Sequence, residues 1–160
     1  MHWIRRKIWQ IKNLIKWFAI IWNQYDFDYS YAIEVFMFQL GKIADFLDSD
    51  KAYSVSAKSN ASSIRRLLKL MKAVQDEKFA MEYQEEFEKL YGKADFTWED
   101  YDKNPNLKEL KWKFPVVKGK TEEELDKIYT EMFRASHNKQ EKAHKLMWKL
   151  VEENIRRWWD

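Results

Sequence analysis

The 160-residue chain has no cysteine, three glycines, two prolines and three histidines. The missing thiols exclude disulfides, thiolate nucleophiles, cysteine-based zinc sites and iron–sulfur clusters, and they fit a reducing compartment. With His2, His137 and His144 as the only imidazoles, a metal centre would need carboxylates to complete its shell, so neither a metal nor another cofactor is expected. So few glycines and prolines cannot supply the turns of an all-β sandwich or barrel, which leaves helix as the default. The most apolar stretch, Trp17 to Trp22, is far shorter than the roughly 20 residues that cross a bilayer. The basic start Arg5-Arg6-Lys7 leads into an apolar run broken by Lys12 and Lys16, without a small-residue cleavage site. No secretory signal fits that pattern, and the mature protein is expected to start at Met1.

What the chain does have is aromatic side chains: ten Phe, nine Trp and eight Tyr. That much apolar surface argues against disorder and for one folded domain over 1–160. The net charge of +3 is too mild for a nucleic-acid-coating protein, but its distribution is uneven. Residues 1–16 carry five basic groups and no acid, 17–50 six acids and one lysine, and 51–72 six basic groups alone. Ten acids against three lysines follow in 73–102, and six lysines against one glutamate in 103–120. Such blocks can attract one another within a chain or between copies.

Hydrophobic spacing predicts an all-α bundle of five to six helices. Ile4, Ile8, Ile11, Ile15, Phe18 and Trp22 recur at intervals of four and three, one stripe of a helix. Trp9, Leu14, Trp17 and Ile21 widen that stripe until one neighbour no longer covers it, so the helix is expected to be central or covered by a second subunit. Asp28 or Ser30 can cap a second helix that runs to about Leu47 with Ile33, Met37, Leu40, Ala44 and Leu47 inward. A third is expected from about Ser54 to Val74 on Ala57, Ala61, Ile64, Leu68 and Met71. A fourth, from about Asp76, carries Phe79, Tyr83, Phe87 and Leu90 and stops at a left-handed cap on Gly92. Residues 92–120 lack helical periodicity and read as one long irregular segment pinned by Trp98, Tyr101, Trp112 and Phe114. Thr121 and Glu124 form a capping box. The helix that follows has Leu125, Ile128, Met132 and Ala135 inward, with a kink or restart near Ser136 to Asn138 before Met147, Val151, Ile155 and Trp158. Trp158 should be buried, with Trp159 turned towards a groove or partner.

No motif specifies a reaction. Glu82, Glu85, Glu99 and Asp102 have the formal spacing of a magnesium-dependent all-α nucleotide pyrophosphatase, provided that 92–105 folds as helix; a solvated acidic face explains them as well. Asp26-x-Asp28 and Asp48-x-Asp50 lack the glycine and distal glutamate of a calcium loop, and capping accounts for them better. His137 and His144 can share a helix face, as a proton-transfer pair or as hydrogen-bonded structural residues. Phosphate-cradling glycine loops and nucleophile elbows are absent. The basic clusters are more suggestive. Arg65, Arg66 and Lys69 lie on one helix face, and Arg156 and Arg157 abut Trp158 and Trp159. Guanidinium forks suit phosphates and aromatic faces suit bases. A pocket for a cyclic or oligonucleotide signal would place Arg65, Arg66 and Lys69 on phosphates, Tyr29, Tyr31 or Trp159 on bases, and Arg156 or Arg157 at the rim. The basic first helix, with Trp3, Trp9 and Trp17, also suits an anionic membrane surface.

Three runs carry a resemblance: Leu14-Ile15-Lys16-Trp17-Phe18-Ala19-Ile20-Ile21-Trp22, Asp26-Phe27-Asp28-Tyr29-Ser30-Tyr31, and Asn154-Ile155-Arg156-Arg157-Trp158-Trp159-Asp160. They resemble a family of small tailed-bacteriophage proteins with a Trp-Phe-x-Ile-Ile-Trp core, an Asp-x-Asp-Tyr stretch and a terminal Trp-Trp-Asp. The resemblance implies a phage accessory protein in the host bacterial cytoplasm, of a kind that often counters host defence, and brings no catalytic residues with it. The resulting expectation is a non-enzymatic homo-oligomer that binds a host defence protein or sequesters a nucleotide-type immune signal.

Overall fold

A computed structural model describes residues 2–22, 28–101 and 104–158. The elements in chain order are α1 (His2–Ile21), α2 (Tyr29–Leu47), α3 (Ala57–Gln75), α4 (Lys78–Tyr91), β1 (Asp95–Tyr101), β2 (Asn104–Lys113) and α5 (Glu122–Asn154). The protein is therefore mostly helical but not all-α. Contacts divide the chain into two compact units, Met1–Met71 with Leu150–Asp160, and Lys72–Lys149.

In the first unit α2 starts where Asp28, in extended backbone, accepts a 2.9 Å hydrogen bond from the Ser30 amide. Hydrogen bonding from Ser30, side chain first and then backbone, holds the Asp28 carboxyl below its ordinary range, as an N-cap should. Helix α2 buries Leu40, Ile43, Ala44 and Leu47, and α3 buries Ala57, Ala61, Ile64, Leu67 and Met71. The small residues early in α3 thus lie inward, where they let a neighbour approach closely. Val151 and Trp158 are buried as well, Trp158 at 3% exposure, and Asn60 Nδ2 donates to the Arg157 carbonyl at 3.1 Å. Trp158 lies where the stripe places it; Trp159 falls outside the described residues.

The second unit is built on an aromatic cluster. Tyr83 and Phe87 of α4 and Leu125 and Tyr129 of α5 are buried, with Tyr91, Trp112, Phe114, Ile128 and Met132 packed against them. Tyr129 makes edge or tilted contacts with Tyr83, Phe87, Trp112 and Phe114, at centroid separations between 4.8 and 5.5 Å. Such pairs contribute beyond the area that they bury. Gly92 has φ +95° and receives a Cβ-sized approach of 3.3 Å from Pro115 Cγ, so the chain turns out of α4 where a side chain does not fit easily. Its ψ of 173° differs from the left-handed cap that the sequence suggests.

Two further expectations need correction. Among the described residues, the 92–120 segment is irregular only at its ends: within it β1 and β2 pair antiparallel, Phe96 opposite Trp112, Trp98 opposite Leu110 and Asp100 opposite Lys108, with a register shift beyond Asp100. Phe96 and Trp98 alternate with polar residues, as do Leu110, Trp112 and Phe114, which is strand spacing. Helix α5 neither kinks nor restarts; it runs 33 residues without interruption. It starts on the expected capping box, with the Thr121 amide donating to Glu124 Oε2 at 2.9 Å and the Glu124 amide to Thr121 Oγ1 at 3.2 Å. Near its middle Ser136, not Ala135, faces inward, and the Gln140 amide donates to the Val74 carbonyl at 2.7 Å.

Candidate functional site

The most unusual surface of the molecule is the outer face of α1. At 100° per residue, Ile4, Ile8, Ile11, Ile15, Phe18 and Trp22 fall within an arc of about 80°. Their exposures lie between 48% and 69%, against 1% for a core residue such as Leu40. Trp3, Leu14 and Ile21 extend the arc to about 140°, and they too are more than half exposed. The side that docks is a different one. Lys42 Nζ of α2 donates to Asn13 Oδ1 at 3.2 Å and sits 5.1 Å from the Trp17 ring, which meets Phe38 edge-on at 4.9 Å. Gln10, Asn13, Trp17 and Ile20 are the partly covered positions of the helix. The stripe expected to be covered by the core or by a second subunit thus faces outward in the single chain, and a mixed polar–aromatic stripe holds the helix in place.

Charge frames the outer face. Helix α1 carries Arg5, Arg6, Lys7, Lys12 and Lys16 and no acid. Arg5, Lys12 and Lys16 line one border of the arc, Arg6 lies beyond the other, and Lys7 projects within it, 6.0 Å from the Trp3 ring. An apolar band bordered by cations is how a helix is built to meet an apolar surface that carries negative charge at its edge.

The anion-binding set expected from the sequence is placed differently. Arg65 is committed to α2, with its guanidinium 2.8 Å from Asp48 and 3.3 Å from Asp45. The hydrogen bonds it donates, to Asp48 first and Asp45 second, raise its affinity for its proton. A fork already holding two carboxylates is not presented to a phosphate. Arg66 and Lys69 are exposed on the same helix, Arg156 and Arg157 are exposed at the end of the chain, Tyr29 is exposed and Tyr31 half-buried. No described contact gathers them into one pocket, and Trp159 lies outside the described residues.

The acidic alternative loses its geometry. Glu99 stands on β1, not on a helix, and pairs with Lys111 at 2.8 Å, whose ammonium holds the Glu99 carboxyl below its ordinary range. Glu82 pairs with Lys139, Glu85 is exposed, and Asp102 is not among the described residues. Among the described residues no group of three or more His, Asp or Glu is placed to hold a metal ion. His137 and His144 are exposed: the His137 ring lies tilted against Phe133 at 4.2 Å, and His144 Nε2 accepts from Trp148 Nε1 at 3.2 Å.

One feature of the second unit has no counterpart in the sequence reading. Trp112 and Tyr129 separate two small clefts, of about 240 Å³ beside Gln84, Glu88 and Lys93 and about 330 Å³ beside Thr130, Phe133 and Arg134. Burial first, and then hydrogen bonding with Tyr83, pushes the Tyr129 hydroxyl above its ordinary value. Both volumes lie near the lower end of the range of ligand pockets, about 300 Å³. No family model, curated protein or solved structure matches this chain. Among the described residues, no helix is long and apolar enough to cross a membrane.

Proposed function

We propose that the chain is a non-catalytic binding protein, a phage accessory protein of the kind its terminal motifs resemble, which engages a host component through the outer face of α1. One observation carries this reading: the broadest apolar stripe of the sequence is left outside while a mixed polar–aromatic stripe docks the helix. Contiguous apolar patches of several hundred Å² are uncommon on monomeric proteins and mark interaction surfaces. The nucleotide-sequestering version of the same proposal keeps Arg66, Lys69, Arg156 and Arg157 but must do without Arg65, whose charge Asp45 and Asp48 already answer. The face of α1 therefore takes precedence over the basic clusters as the working surface.

The test is genetic and biochemical together. Bacteria expressing the chain are challenged with a phage that their defences restrict, beside bacteria expressing Ile8→Glu/Ile15→Glu. The wild-type chain should raise plating efficiency and the double variant should not, while both purified proteins melt at the same temperature. Equal plating with the two proteins would remove α1 as the working surface, and no effect of the wild type would remove counter-defence.

A further inference from the structure

The occupant of this face can be named by its chemistry. Resting on the reading that α1 is the working surface, we infer that it lies along an anionic lipid surface, its apolar arc in the acyl boundary and its lysines and arginines among the headgroups. Three observations converge. The arc is continuous along a helix of 20 residues, about 30 Å at 1.5 Å per residue, and its side chains, the flexible Lys7 apart, are aliphatic and aromatic. A fluid apolar layer needs no register, whereas a protein groove does. All five charges of the helix are positive, and Lys7, the only one within the arc, has a stem long enough to carry its ammonium out to the headgroups. Finally, Trp3 near the start of α1 and Trp22 just past its end stand at the two ends of the apolar band, 70% and 69% exposed. Indoles of this kind prefer the boundary between hydrocarbon and water.

A second copy of the chain answers this charge poorly. Antiparallel pairing of two such faces sets the Arg5, Lys12, Lys16 border of one against the same border of the other, and α1 has no carboxylate to reply. An anionic bilayer replies everywhere along the helix. The helix lies on the surface without crossing it, because it is too short in apolar residues to span.

Sedimentation with vesicles decides it, using the full chain. One set holds phosphatidylglycerol and phosphatidylcholine at 30:70, the other phosphatidylcholine alone, each at low and high salt. The wild type should sediment with the anionic set and be released by salt. Each cation near such a surface contributes roughly a fivefold factor in partitioning, so Arg5→Gln/Lys12→Gln/Lys16→Gln should lose about 100-fold. Ile8→Glu/Ile15→Glu should not sediment at all, and its unchanged melting temperature shows that it folds. No binding of the wild type to anionic vesicles at millimolar lipid, or equal binding by Ile8→Glu/Ile15→Glu, overturns the lipid assignment. If vesicle binding fails while the same double variant still loses its effect on plating, α1 remains the working surface and the occupant is a protein. A dimer of the wild type in light scattering, abolished by Ile8→Glu/Ile15→Glu without vesicle binding, replaces the lipid with a second copy.

Discussion

The face of α1 and the aromatic cluster around Tyr129 draw on the same residue types and come to opposite ends. In the cluster, Tyr83, Phe87 and Tyr129 stand on two helices and meet edge to face, with Trp112 and Phe114 brought over them from β2 and the turn that follows. The apolar residues of the outer α1 face come from one stretch of chain: Phe18 meets Trp22, just past the helix end, at 4.5 Å, and both stay more than half exposed. Aromatic content alone therefore does not say core. What separates the two regions is whether other elements contribute rings to the same place.

The largest expected effect tests the covered side of that contrast. Phe87 is 1% exposed and touches Tyr91, Phe114 and Tyr129. Phe87→Ala should cost about 3–5 kcal/mol in urea unfolding, the scale of a buried phenylalanine that leaves a cavity. A loss below about 1 kcal/mol would mean that the cluster is as loosely held as α1. A smaller effect is expected at the hinge that lets the strands reach the cluster. Gly92→Ala places a Cβ at φ +95° and against Pro115, next to Phe114. Strain of this kind costs about 1–3 kcal/mol. Calorimetry should show a lower melting temperature, and an unchanged one would mean that the turn relaxes without disturbing Phe114.

These two regions also mark how far the sequence could be read. Helix ends set by local chemistry were legible, because Asp28 to Ser30 and Thr121 to Glu124 are hydrogen-bonding pairs within a few residues of one another. Trp158 was legible from the spacing it shares with Val151. The hairpin is invisible to a helical period, because Phe96, Trp98, Leu110, Trp112 and Phe114 repeat at two. In α5, Ser136 and Asn138 are residue types that cap helices, yet without glycine or proline nothing there forces a stop. The orientation of α1 was the least legible. An apolar stripe predicts burial but does not say by what, and the stripe that docks contains Gln10 and Asn13, which no hydropathy argument selects. A sharper signal lies in the charges: α1 has five cations and no acid, four of them flanking the outward face and Lys7 within it, an arrangement a core helix does not need.

The smallest effects come from α1 itself and compare its two sides one residue apart. Trp17 is partly covered, meets Phe38 at 4.9 Å and lies under Lys42 at 5.1 Å. An aromatic pair of this kind adds about 0.5–1.5 kcal/mol beyond its buried area, and a cation over a ring at a half-open site adds about 0.5–1 kcal/mol. Trp17→Ala should therefore destabilise by about 1–2 kcal/mol, with α1 coming away first, since Trp17 and Asn13 are the described anchors of the helix on α2. Phe18, one position on, is 51% exposed. Phe18→Ala should change stability by no more than about 0.5 kcal/mol, the range of surface substitutions, and yet weaken attachment to anionic vesicles because it removes a ring from the arc. Amide exchange of α1 separates the cases: faster in Trp17→Ala, unchanged in Phe18→Ala. The reverse order would mean that α1 is held by the stripe of Ile4, Ile8 and Ile11 after all, and that the face assigned to lipid is the face that folds inward.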